Sequence, residues 1–151
     1  MKKKIFFLNW PNLLLRKKSK IIKKIDNQFL KVFLIMQKIL KKNAKILGIS
    51  SIQIGVRIKM FVAKIYNEEK KRYFVEIFIN PKIIKESNQE INSIESCLSI
   101  YGKSGIKYRK KIILISYFDI NKKKKTKIFK NNNAICLQHE MDHINGILWI
   151  Y

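Results

Sequence analysis

Both histidines of the chain lie in one pentapeptide, His139-Glu140-Met141-Asp142-His143. On a helix, residues four apart share a face, so two imidazoles at this spacing can converge on one metal ion. Glu140, beside the first of them, is placed for its carboxylate to take a proton from a water that such an ion activates. The pattern is short enough to recur by chance, and a surface helix with two polar histidines is the plain alternative. Ile135, Leu137, Ile144 and Ile147 weigh against it, because they mark the segment as largely buried. A catalytic metal commonly has three protein ligands and one open position. With no third histidine, the third ligand must be Cys, Asp or Glu. Cys136 lies three residues before His139, so its sulfur would sit beside that ligand rather than across the metal from it. It reads as a pocket-lining or core thiol. Cys97, within Glu95-Ser96-Cys97-Leu98-Ser99, comes from a separate segment and can approach the helix face to complete a two-histidine, one-thiolate site.

The elements that must position these groups can be read from periodicity. Asp26 can cap a helix running to about Lys42, with Phe29, Val32, Phe33, Met36, Ile39 and Leu40 on its apolar face. β-Branched and aromatic residues dominate Val56–Ile65 and Tyr73–Ile79, with Asn67–Lys71 as the turn between two strands. Asn80-Pro81 should end the second strand, leaving Lys82–Lys85 as a short extended piece. Ile112–Ile120 and Thr126–Phe129 read as a hairpin whose turn is Lys122–Lys125. Ala134–Asn145 has helical character, and Gly146 stops it. This order predicts an α+β domain of antiparallel sheets packed around a central helix carrying the two histidines, with an amphipathic helix towards the N-terminus.

Composition bounds the rest. At 151 residues the chain fits one domain, and 47% hydrophobic content is enough for a core. No window holds 18 uncharged apolar residues, so no spanning helix is expected. Two cysteines without a CxxC exclude a disulfide scaffold. The opening Met1-Lys2-Lys3-Lys4-Ile5-Phe6-Phe7-Leu8 imitates a signal peptide, but its apolar run stops at Asn9, short of the roughly 7–15 residues needed; a cytoplasmic protein is expected. The 33 Lys+Arg against 10 Asp+Glu give a net charge of +23. Such charge can serve a nucleic-acid partner. It can equally record drift towards A/T-rich codons, since Lys, Ile and Asn supply 71 of the residues.

Three motifs, in order, resemble those of the bacterial-type peptide deformylases. Ile46-Leu47-Gly48-Ile49-Ser50-Ser51-Ile52-Gln53 is similar to that family's G-x-G-L-A-A-x-Q, residues 95–99 resemble E-G-C-L-S, and residues 139–143 match H-E-x-D-H in full. Pro11 through Arg16, Ile79-Asn80-Pro81 and Arg109 extend the likeness over nearly the whole chain, residues 1–151 as a single catalytic domain. The resemblance implies that Cys97, His139 and His143 bind one divalent metal, ferrous iron first, with zinc, nickel or cobalt as substitutes. It implies that Glu140 is the general acid–base group, and that the Gln53 amide and the Leu98 backbone N–H stabilise the oxyanion. It implies substrate-binding roles for Leu47, Gly48, Glu95, Arg109, Ile135 and Cys136. The reaction implied is hydrolysis of the N-formyl group from N-formyl-methionyl nascent polypeptides, releasing formate. The implied partners are those nascent chains and, through the basic surface, the ribosome; the protein is expected to be a monomer with no membrane contact.

The chain also departs from the pattern. Ile46 stands in place of the first motif glycine and Ser96 in place of the glycine before the cysteine. Ser50-Ser51 replace an alanine pair and add two hydroxyls that need partners. Asn132 and Asn133 stand near the expected methionine pocket, and the chain reaches Tyr151 without the family's usual C-terminal helix, so a shortened member is expected. Two alternatives compete: a deformylase-like but inactive basic factor of the ribosome or RNA, and a generic HExxH metallopeptidase. The second makes Cys97 and Gln53 coincidences.

Overall fold

The computed structural model describes residues 6–150, so the reading of the opening Met1–Ile5 lies outside the described residues. Helix α1 spans Asn27–Lys42. The Asp26 carboxylate accepts a hydrogen bond from the Phe29 N–H at 2.9 Å, satisfying one of the donors that a helix leaves open at its start. Strands β1 (Gly48–Ser50), β2 (Met60–Asn67), β3 (Arg72–Glu86), β4 (Glu90–Cys97), β5 (Ile100–Lys110), β6 (Ile112–Phe118) and β7 (Lys124–Lys130) follow. Helix α2 (Asn131–Ile144) comes last. All strand pairs are antiparallel. Five strands form one sheet in the order β1-β2-β3-β6-β7, and β4-β5 form a second. The architecture is α+β.

Strand β2 shows how the layers form. Met60, Phe61, Val62 and Ala63 are all buried, because the sheet is covered on both faces. Met60 and Val62 pack with Phe29, Met36, Ile39 and Leu40 of α1. Phe61 and Ala63 point the other way, into a cluster with Ala134, Leu137, Met141 and Ile144 of α2. Phe78 stacks on Phe61 at a centroid distance of 4.8 Å and anchors the second cluster. Helix α2 stops at Gly146, whose φ of 76° favours glycine. A side chain there would also lie 2.6 Å from the Arg16 carbonyl oxygen.

Four expectations need correction. Strand β3 does not end at Asn80-Pro81 but runs to Glu86. Asn80 adopts φ 49° and the register shifts between Ile79 and Lys82, so Pro81 occupies a bulge, where its missing N–H costs no ladder bond. The Asn80 side chain pins the bulge, accepting from the Ile22 N–H and donating to the Ile22 carbonyl. Strand β2 starts at Met60 rather than Val56, after a turn in which the Val56 N–H donates to the Ser51 carbonyl. Lys124 and Lys125, expected in a turn, pair in β7 opposite Phe118 and Tyr117. The sequence pattern predicts neither β4 nor β5. Their inward positions include buried Ser93, Glu95 and Arg109, while Ile94, Ile106 and Tyr108 are exposed. This inverts the usual apolar-in alternation, so period-two reading finds no strand there.

Candidate metal centre

Helix α2 carries His139, Glu140 and His143, and its four-residue repeat turns both imidazoles to one side. Their Nε2 atoms are 3.1 Å apart, and the Cys97 sulfur is 3.1 Å from His143 Nε2. Cys97 ends β4, where the register shifts after Ser96 as the hairpin turns towards β5. The ligand atoms of Cys97, His139 and His143 all lie within 4.8 Å of one another. A soft thiolate and two imidazoles facing one point make a donor set suited to a divalent first-row transition metal, and to one that prefers few, soft ligands over an oxygen cage. The residues fit such an ion.

The surroundings orient these donors. His139 Nδ1 lies 2.8 Å from Glu95 Oε2, a contact that puts the ring proton on Nδ1 and leaves the Nε2 lone pair facing the cluster. Arg109 donates to both Glu95 oxygens at 2.6 and 2.7 Å and, through a third nitrogen, to Asp142 at 2.6 Å. Burial alone would raise the Glu95 carboxyl, but hydrogen bonds from Arg109 and His139 outweigh it and hold its pKa at about 2. Burial opposes the second proton, and the positive charge it brings, on either imidazole. On His139 the hydrogen bonds to Cys97 and Glu95 overcome it and raise the pKa to about 10, so an ion that takes the Nε2 lone pair must first displace a proton from it. On His143 burial prevails, assisted by His139 and Arg109, and lowers it to about 3. His143 Nδ1 is buried with no hydrogen-bond partner among the described residues.

Glu140 is almost fully buried, and burial raises its pKa. Its Oε2 accepts from the Ser50 hydroxyl at 2.6 Å. Gln53, also buried, is fixed at both ends of its amide. The oxygen accepts from the Ser50 N–H at 2.9 Å, which turns the nitrogen towards Ser99 Oγ at 3.2 Å and the Cys97 sulfur at 3.4 Å. A cavity of about 690 Å³ opens onto these groups. Leu47, Gly48, Gln53, Glu95, Cys97, Leu98, Ile135, Cys136, His139 and Glu140 all line it. Arg109 is not on that wall: its guanidinium is buried behind it, engaged by Glu95 and Asp142. Cys136 lines the cavity and packs on the core cluster outside the three-donor group; burial pushes its thiol up.

Three residues that support the site had no role at the sequence level. Asp142 takes the third Arg109 contact, Ser99 meets the Gln53 amide, and Ser50 meets Glu140. All three stand inside the motifs quoted for the resemblance, which is the available signal; Ser50 enters there as a departure from alanine whose hydroxyl needs a partner.

Residues 3–151 match the polypeptide deformylase family. The peptide deformylase of Finegoldia magna is 33% identical over 136 residues, covering 90% of this chain and 81% of that one. The crystal structure of the peptide deformylase from Ehrlichia chaffeensis superimposes with a TM-score of 0.88 at 27% identity, over 97% of this chain and 86% of that one. The Plasmodium falciparum peptide deformylase, solved in complex with an inhibitor, gives 0.83 at 33% identity, over 95% and 86%. With a match over almost its full length, the chain belongs to the polypeptide deformylase family.

Proposed function

We propose that this chain removes the N-formyl group from the N-terminal methionine of newly made proteins, using Cys97, His139 and His143 to hold one divalent metal and Glu140 to move the proton. The observation that carries this reading is the convergence of one thiolate and two imidazoles beside a buried carboxylate at a single cavity. The ion, ferrous iron first and replaceable by zinc, nickel or cobalt, would polarise the formyl oxygen and make a water more acidic. Glu140 accepts the proton as a water oxygen adds to the formyl carbon. It returns the proton to the amine nitrogen as the C–N bond breaks, giving formate and a free amino terminus. The Gln53 amide and the Leu98 N–H meet the negative charge that builds on the formyl oxygen. Leu47, Gly48, Ile135 and Cys136 shape the wall on which the methionine side chain rests. Glu95, on the cavity wall, and Arg109, behind it, act through His139.

In this reading residues 1–151 form one catalytic domain, with α2 as its central helix and α1 as the amphipathic helix towards the N-terminus. The protein is a cytoplasmic monomer, and its basic surface meets the ribosome. No helix among the described residues is long and apolar enough to cross a membrane. The test is formate release from a formyl-Met peptide by iron- or nickel-loaded protein, with the acetyl-Met peptide as control. Formate from the first alone is expected. No formate from either peptide, with metal bound stoichiometrically, would overturn the assignment and return the chain to the inactive ribosome-associated reading.

A further inference from the structure

Strand β1 meets Glu140 at two points two residues apart, which places them on one face of the strand. Ser50 has no exposed surface. Its oxygen lies 2.6 Å from Glu140 Oε2 and 3.2 Å from the Glu140 carbonyl oxygen. A hydroxyl has one proton to give, and 2.6 Å is the short distance of a bond to a carboxylate, so Oε2 takes it. At Gly48 a side chain is missing where one would not fit: a Cβ there would lie 2.6 Å from Glu140 Oε1 and 2.8 Å from its Cγ. One carboxylate oxygen is therefore bonded from behind, and the other lies over bare backbone. Gly48 and Glu140 line the cavity and Ser50 does not. The neighbouring hydroxyl serves a different purpose, since Ser51 Oγ donates to the Ile58 carbonyl at 2.6 Å.

We propose that Ser50 is a positioning residue for the reaction: its hydroxyl pins Oε2 of Glu140, so that Oε1 alone is presented to the water and the leaving amine. The proposal rests on the reading of Glu140 as the general acid–base group. The terminal torsion of a glutamate is broad and close to two-fold, so in this site a carboxylate without the bond is held by packing alone and spends less time in the productive orientation. Misplacement of a reacting group by about 1 Å can cost about a hundredfold in rate, and the loss falls on turnover rather than on binding.

The test compares Ser50→Ala, Ser51→Ala, Glu140→Ala and the double variant Ser50→Ala/Glu140→Ala, all metal-loaded, on a formyl-Met-Ala-Ser peptide. For Ser50→Ala, kcat should fall by about ten- to a hundredfold with KM and metal content little changed. Ser51→Ala, the same loss of a buried hydroxyl one residue on, should leave kcat within about twofold. In the Glu140→Ala background, adding Ser50→Ala should lower the residual rate no further, because the group that Ser50 orients is gone. Melting midpoints give a readout independent of turnover: the losses from Ser50→Ala and Glu140→Ala should be non-additive. Wild-type kcat in Ser50→Ala, or an equal loss with and without Glu140, would overturn the proposal and leave the general-base reading intact. Wild-type turnover by Glu140→Ala would overturn that reading, and the role of Ser50 with it.

Discussion

Glu95 accepts two hydrogen bonds from Arg109 and faces His139, with its side chain only 4% exposed. Its pKa of about 2 lies below the ordinary 4.5, so the folded protein binds a proton here more weakly than the unfolded chain does. The contribution to stability is therefore fully present above about pH 4.5 and is lost as pH falls towards 2. The difference in pKa corresponds to about 3 kcal/mol. Glu95→Gln keeps the shape and one acceptor oxygen but leaves Asp142 as the anionic partner of the buried Arg109 guanidinium, and breaking such a pair typically costs about 3–5 kcal/mol. In chemical unfolding at pH 7 the variant should lose stability of that order. The gap from the parent protein should narrow between pH 4.5 and 3; a gap constant with pH would show that the Glu95 charge does not govern this contact. Glu140 calls for a different experiment, because it lies beside the three donors without belonging to them. Glu140→Ala should bind metal at the parent stoichiometry while turnover falls by about 10²–10⁴-fold. Loss of metal from this variant would mean that Glu140 is a ligand.

At the scale of elements, the site is made where α2 crosses β1 and the end of β4, and its weakest tolerance is the space between α2 and β1. Gly48→Ala puts a methyl group 2.6 Å from Glu140 Oε1 in a backbone that alanine can otherwise adopt. The Glu140 side chain must swing away and give up its bond from Ser50, so turnover should drop by about a hundredfold and the melting midpoint should fall with it. Parent-like turnover in Gly48→Ala would show that Glu140 has room to spare. Helix α2 was legible in the sequence because its apolar residues and its histidines obey the same helical repeat, one set for the core and one for the site. Helix α1 was legible through its Asp26 cap and its single apolar face. Strands β4 and β5 were not, because their inward face holds Ser93, Glu95 and Arg109, which serve the site rather than a core. That Cys97, His139 and His143 could meet was legible from residue type and spacing. What joins them was not: the pairs Ser50–Glu140 and Gln53–Ser99 span 90 and 46 residues of chain, and no local pattern encodes a contact across that distance.

For the whole molecule, 33 cationic side chains face 10 acidic ones, so no arrangement of ion pairs can neutralise the fold. Compaction brings like charges together, and a net charge of +23 opposes it. Two effects of salt then compete. Screening weakens the exposed pairs, such as Lys127 with Glu76 and Lys110 with Glu90, but each contributes only about 0–1 kcal/mol. Screening also relieves repulsion summed over the whole surface, as the Debye length shrinks from about 30 Å at 0.01 M to about 8 Å at 0.15 M. The buried Glu95–Arg109 pair is screened least, so it does not offset this gain. Repulsion therefore wins, and the melting midpoint should rise with salt, by about 2–4 °C for each kcal/mol of repulsion removed. Any association of the same surface with a polyanion such as ribosomal RNA should weaken over the same range, since counterion release has the opposite sign. Turnover of a small neutral formyl peptide should change little, because the groups proposed to react lie within a cavity. The measurement is a set of melting curves between 10 and 150 mM sodium chloride on metal-loaded protein, with peptide turnover followed in parallel. A midpoint that falls as salt is added would mean that specific ion pairs, and not the lysine excess, govern the stability of this chain.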